Sequence, residues 1–274
     1  MRFDDTRPKD AAAGAARRDI LSGLGQGALI AAVALAVLYG AFGHLLKRHR
    51  TTPAAPPPPV AVAPVTPPPA IQRRLDFGTA KAPADVTRVA AWAVAQADNG
   101  DRPFAIVDKR GASLYVFDVT GKLLGTSPVL LGYAAGDLTV EGIGNKKLED
   151  IKPSERTTPA GRFQSEPGRN AHDQDVVWVD YDAAVSMHRV INSNPSERRL
   201  QRLATPTPAD NRISWGCINV PVAFFDTTLW PNIGKGRGVV YVLPERLPLT
   251  AFFPGAADTP TLAQAGGHGN RARP

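Results

Sequence analysis

The stretch Phe104-Ala105-Ile106-Val107-Asp108-Lys109-Arg110-Gly111-Ala112-Ser113-Leu114-Tyr115-Val116-Phe117-Asp118 holds two short apolar runs rich in β-branched and aromatic residues. The polar break at Lys109-Arg110-Gly111 between them reads as the turn of a β-hairpin. Working outward, similar short runs recur at Leu123-Leu124, Val129-Leu130-Leu131, Gly161-Arg162-Phe163, Val176-Val177-Trp178-Val179-Asp180 and Ala184-Val185-Ser186-Met187-His188. A last one, Gly238-Val239-Val240-Tyr241-Val242-Leu243, ends at Pro244. Upstream, Val89, Ala90, Trp92, Ala93, Val94 and Ala97 recur at helical spacing, which predicts a short helix over Thr87 to Ala97 closed by Asn99-Gly100. Many short strands and few helices predict a mainly β domain, a sandwich or a partly closed barrel, over residues 87–250.

The flanks are of a different kind. Residues 1–19 form a polar, alanine-rich tail. From Ile20 through Leu46 no Asp, Glu, Lys or Arg occurs. About 20 such residues suffice to cross a bilayer as a helix, so 20–46 is expected to be an uncleaved transmembrane signal anchor. Residues 47–86 begin with a run carrying proline at 53, 56, 57, 58, 59, 64, 67, 68 and 69, expected to be an extended polyproline-type linker. The tail 251–274, rich in Ala, Gly and Pro, is expected to be disordered. The net charge of +7 belongs to these flanks, because between Pro103 and Arg246 there are 17 Lys/Arg against 16 Asp/Glu. The folded part thus lacks the basic stripe that nucleic-acid binding needs, and no zinc-finger spacing or aromatic RNA-binding signature occurs.

The chain holds one cysteine, Cys217, in Arg212-Ile213-Ser214-Trp215-Gly216-Cys217-Ile218-Asn219-Val220-Pro221. A lone thiol makes no internal disulfide, and by itself it fits a small buried apolar residue as well as a nucleophile. Pro221 suits the first turn of a helix through Val222, Phe224, Phe225 and Leu229, and a cysteine ahead of a helix start is favoured as the thiolate, the form that attacks. Of the five histidines, His44 and His49 fall in the apolar segment and its flank and His268 in the tail. His172, with Asp173 and Asp175 nearby, reads as a solvated turn rather than a metal site. His188 ends an apolar strand-like run. An imidazole there can remove a thiol proton and later return it, provided it meets Cys217 in space.

His188 followed by Ser214-Trp215-Gly216-Cys217-Ile218-Asn219 resembles the signature of the bacterial L,D-transpeptidase catalytic domain (YkuD-type), a histidine near a strand end ahead of an S-x-G-C motif. The opening hairpin is similar to that family's first strands, and Thr158-Pro159-Ala160-Gly161-Arg162-Phe163 to its T-P-x-G-x-F/Y segment. The likeness spans roughly Phe104 to Leu243. Three features depart from the pattern. Trp215 stands where the family usually has His or Arg, Arg189 where a small residue usually follows the histidine, and Pro195 to Leu203 looks like an inserted short basic helix with proline at its start. That helix reads as a solvated face or as a contact for anionic glycan or stem carboxylates.

The resemblance implies a cell-envelope enzyme acting on peptidoglycan stem peptides without metal or cofactor. Cys217 would be the nucleophile that forms a thioester, and His188 the base and then the acid, its ring oriented by the main-chain carbonyl of Arg189. The N–H groups of Gly216 and Cys217 are candidates for an oxyanion hole. Ser214, Trp215, Asn219 and Arg212 are candidate substrate-binding residues. An amine on a neighbouring stem, or on an attached envelope protein, would take the acyl group. Transfer to water (an L,D-carboxypeptidase) and a catalytically weak peptidoglycan-binding domain are the alternatives. An anchored domain held on a stalk would lie on the periplasmic, extracytoplasmic side of the inner membrane.

Overall fold

The computed structural model describes residues 71–257. The expected polar tail 1–19, membrane anchor 20–46 and most of the proline-rich linker lie outside the described residues, as does the end of the C-terminal tail. Within 71–257 no helix is long and apolar enough to cross a membrane.

Helix α1 (Ala84–Ala95) is followed by strands β1 (Phe104–Asp108), β2 (Ser113–Phe117), β3 (Leu123–Pro128) and β4 (Leu131–Gly132). After three short 3-10 turns come β5 (Gly161–Gln164), β6 (Glu166–Arg169), β7 (Asp175–Asp180) and β8 (Val185–Arg189). A short helix α2 (Arg199–Ala204), strands β9 (Arg212–Ser214) and β10 (Ile218–Val220), helix α3 (Val222–Phe224) continuing as wide π-type turns over Phe225–Gly234, and β11 (Val239–Val242) complete the order. The strands form a five-stranded sheet β3-β2-β1-β11-β5, a four-stranded sheet β10-β8-β7-β6 and the separate pair β4-β9. The expected mainly β class holds, and of the two expected architectures it is the sandwich: the two sheets stay open and no barrel closes.

Strand alternation explains the layering. In β1, Ala105 and Val107 face the four-stranded sheet and pack with Val177, Met187, Ile218 and Val220, while Phe104 and Ile106 face the other way, onto Val86, Val89, Ala90 and Ala93 of α1. The centre of the five-stranded sheet is thus buried on both faces, which is why β1 reads as an unbroken apolar run rather than an alternating one. The apolar residues of α1 recur at three- and four-residue intervals and cover that outer face.

Two domain limits differ from expectation. Helix α1 starts at Ala84, inside the expected linker, and ahead of it Asp76 bridges to Lys122 while Leu75 and Phe77 pack on the α1 side of the core. At the other end Phe253 and Ala256 are buried, so the packed chain runs past residue 250. In both places a few apolar residues next to a proline- or alanine-rich stretch are enough to draw the backbone onto the core.

A buried ion pair joins the hairpin turn to the loops around the site. Lys109 is fully buried, and its Nζ reaches Asp137 Oδ1 at 2.8 Å, the Gly136 carbonyl at 2.5 Å and the Thr158 carbonyl at 2.9 Å. Burial lowers the Lys109 ammonium from its ordinary value although its acidic neighbours pull the other way. Burial raises the Asp137 carboxyl, but Lys109 and the N–H groups of Leu247, Glu245 and Arg246 outweigh it and hold the group at about 2. Removing the cation strands a buried carboxylate, so Lys109→Met is expected to lower stability by about 3–5 kcal/mol in denaturant titration. Because the folded-state carboxyl is depressed, the contribution of Asp137 is present above the ordinary carboxylate range and is lost as pH falls toward about 2. A Lys109→Met domain as stable as the native one above the ordinary carboxylate range would contradict the assignment.

Candidate active site

Strands β8 and β10 run parallel, with Met187 beside Ile218, His188 beside Asn219 and Arg189 beside Val220. The backbone of Asn219 is also tied on its other side, donating to and accepting from Leu130 at 2.8 and 2.9 Å. This pairing brings His188 next to a segment some thirty residues on, and the next step back from Ile218 is Cys217. The Cys217 Sγ lies 3.8 Å from Ser186 Oγ and 3.5 Å from the Ala184 carbonyl.

His188 Nδ1 lies 2.8 Å from the Arg189 carbonyl oxygen. A carbonyl only accepts, so Nδ1 carries the hydrogen and, in the neutral ring, Nε2 presents its lone pair. Asn219 Nδ2 lies 3.3 Å from that Nε2 and donates to it. Burial pushes the Cys217 thiol up, but the hydrogen bond and charge of His188, aided by Ser186, outweigh it and lower the thiol from its ordinary value.

The origin of this thiolate preference differs from the one expected. Strand β10 stands between Cys217 and the helical segment that begins at Val222, so Cys217 is not at a helix start and the macrodipole is not its activator. Three-residue β10 was hidden in the sequence because its pairing is non-local.

Gly216 and Ser214 are tied to one another in the cysteine turn. The Gly216 N–H donates to Ser214 Oγ at 3.2 Å, and that hydroxyl donates to the Cys217 carbonyl at 2.5 Å. Ser214 is therefore buried structure that stitches the turn, and the Gly216 N–H is already engaged. Among the described residues the Cys217 N–H donates to no protein acceptor, which leaves it as the donor free for an oxyanion. Gly216 has φ +132°, a conformation that favours glycine, and a Cβ there would press on the Thr157 carbonyl oxygen at 3.0 Å.

Arg212 is not brought to this site. Its guanidinium pairs with Glu245 at 2.5 Å and donates to the Lys109 carbonyl, in a separate depression with Arg110 and Arg246. Asp173 and Asp175, beside His172, pair with Arg169 at 3.2 and 3.5 Å.

Cys217, His188, Asn219, Ser214 and Trp215 open into a cleft of about 340 Å³, closed by Leu148, Ile191, Ser193, Asn194, Glu197 and Arg199. Its apolar rim is Leu148, Ile191 and Trp215, all exposed. The Arg156 guanidinium lies 3.4 Å from the centroid of the Trp215 ring, an arrangement in which ring and cation attract. Sequence reading missed Ser186, Arg156 and the placement of Arg199. Ser186 was findable, since it lies two positions before His188 on the same strand face. Nothing local in the chain pointed to Arg156 over Trp215.

Thr158, in the segment Thr158 to Phe163, is the buckle of the cysteine turn. It is fully buried, its Oγ1 donates to the Gly216 carbonyl at 2.7 Å and accepts from the Gly132 N–H at 2.9 Å.

No protein-family model matches the chain, and no curated protein does. Among solved structures it is similar to the L,D-transpeptidase (residues 123–326) from Xylanimonas cellulosilytica, with 14% sequence identity and a TM-score of 0.32 over 64% of this chain and 99% of that one. The chemistry of the cleft is therefore argued from its own geometry.

Thr158→Val keeps the shape and removes the hydroxyl, leaving the Gly216 carbonyl and Gly132 N–H buried without it. The expected cost is about 1–3 kcal/mol in stability. Iodoacetamide alkylation of Cys217 should slow at the same time, because the turn that sets Sγ against His188 is loosened. An alkylation rate equal to that of the native domain would remove Thr158 from the support of the site.

Proposed function

We propose that the domain is a cysteine acyltransferase of the L,D-transpeptidase type, acting on peptidoglycan stem peptides. The observation that carries this is the pairing of one thiol, lowered by His188, with an imidazole whose Nδ1 is held by a backbone carbonyl and whose Nε2 is left as an acceptor. The resemblance of His188, Ser214 to Asn219 and Thr158 to Phe163 to the family's motifs supplies the substrate class.

In the proposed cycle the Cys217 proton passes to His188 Nε2 as Sγ attacks the carbonyl ahead of the terminal D-amino acid. The oxyanion forms opposite the free N–H of Cys217. Collapse breaks the peptide C–N bond, His188 returns its proton to the departing amine, and a thioester remains. The amine of a second stem, or of an envelope protein, then attacks the thioester and gives its proton to His188, and the thiol is restored. The apolar rim of Leu148, Ile191 and Trp215 favours an acceptor that carries carbon surface over free water. The reading includes an extracytoplasmic location at the inner membrane, where such stems lie, with the charge-free segment 20–46 as the anchor it would need.

Incubation with a carbapenem should add one acyl group to the intact mass of the native domain and none to Cys217→Ala. His188→Ala should acylate about 10²–10⁴-fold more slowly, the range a positioned base contributes. A native domain that stays unmodified and leaves tetrapeptide stems uncut would refute the reading. With acceptor stems present the expected product is crosslinked dimer; tripeptide alone would assign hydrolysis instead.

A further inference from the structure

Arg199 opens helix α2 in the segment that looks like an insertion against the family pattern, yet it does not face solvent: its side chain is 12% exposed. The helix is seated by Leu203, which packs with Leu130, Val190 and Ile213, and by Arg202, which donates to the carbonyls of Glu197 and Asp210 at 2.8 Å. Arg199 pairs with Glu197 through Nε, and its Nη1 donates to Asn219 Oδ1. Asn219 is 1% exposed, and its backbone is held by both β8 and Leu130, so the orientation of its amide is the one freedom it keeps.

A guanidinium only donates. With Oδ1 turned to Arg199, the amide must turn its NH2 to His188 Nε2, at 3.3 Å, and to the Cys217 carbonyl, at 3.4 Å. The second contact favours the same orientation but is at the long limit of a hydrogen bond, whereas the contact from Arg199 is charge-assisted and stronger. Were the amide reversed, Oδ1 would face Nε2 and favour a hydrogen there. The ring would then have an acceptor on each side, and its Nε2 would be unavailable to the thiol.

We propose that Arg199 is a positioning residue for the acyl transfer: by donating to Asn219 Oδ1 it fixes the amide so that His188 Nε2 carries no hydrogen, and the long amide contact to its one lone pair gives way when Nε2 takes the Cys217 proton. The proposal rests on the acyltransferase reading for its purpose, though not for its geometry. The same arrangement serves the return step. Once Nε2 has taken the thiol proton it faces amide hydrogens rather than an acceptor, so no neighbour holds that proton back from the departing amine.

The test is the tautomer of the neutral His188 ring, read by 15N NMR on histidine-labelled domain, with His188→Ala giving the assignment. The native domain should show hydrogen on Nδ1 and a bare Nε2. Arg199→Ala should shift the neutral ring toward the form with hydrogen on Nε2 and slow carbapenem acylation by about tenfold, a part of the ~10²–10⁴ that a positioned base supplies. Arg199→Lys, which also only donates, should restore both. Asn219→Asp sets an acceptor beside Nε2 with Arg199 intact and should give the same tautomer shift, which keeps the test available if Arg199→Ala fails to fold. Unchanged tautomers in Arg199→Ala or in Asn219→Asp overturn the proposal. A native domain that shows the tautomer response but never acylates would defeat the functional reading and leave the relay standing.

Discussion

The parallel pairing of β8 with β10 is the constraint on which the site depends. Parallel neighbours need a long crossover, and here the connection from Arg189 to Ile218 supplies α2, β9 and the cysteine turn before the chain returns to lie beside β8. The register sets His188 against Asn219, and a slip by one residue would turn the side chains of β10 to the opposite face. Core packing guards against such a slip, because Ile218 and Val220 are buried between the sheets with Met187. The hydrophobic pattern that holds the sandwich together is therefore the same one that places imidazole, amide and thiol.

Around that pairing the structure restricts each polar group to one role. The Arg189 carbonyl selects the hydrogen on Nδ1, Asn219 presents donors to Nε2, and Arg199 decides which end of that amide faces the ring. On the other side of the thiol, Thr158 and Ser214 hold the turn closed through the carbonyls of Gly216 and Cys217. Thr158 is in turn tied by its carbonyl to Lys109, whose charge is matched by Asp137. The buried ion pair is thus joined to the cysteine turn through one residue. Such a chain of bonds exacts a cost in desolvation that its partners must offset, and here the depressed carboxyl of Asp137 shows that they do for the acid.

The strands of the five-stranded sheet were legible because β1, β2 and β11 are apolar runs bounded by turn residues, a signal that needs no tertiary knowledge. Strand β6 was not, since Pro167 and Gly168 argue against a strand; it survives at the edge of its sheet, where a missing donor is tolerated. Strands β9 and β10 are three residues long and exist through partners far away in the chain. That gap explains why Cys217 was expected to sit directly at the start of the helix that does begin at Val222, when β10 lies between them, and why its activation falls to His188 rather than to the helix. The pairing of Cys217 with His188 could be named from residue types and motif likeness. The inward turn of Arg199, the retreat of Arg212 to a different depression and the engagement of Gly216 by Ser214 could not, because each depends on which partner lies within reach after folding.

The central claim is that β8 delivers His188 to Cys217 so that the thiol loses its proton more readily than an ordinary cysteine. The pH dependence of Cys217 alkylation by iodoacetamide, compared between the native domain and His188→Ala, reads this directly. The account predicts a native thiol that titrates below the ordinary cysteine value and a variant in which, with burial left unopposed by the imidazole, the titration moves upward. Coincident curves for the two proteins would contradict it.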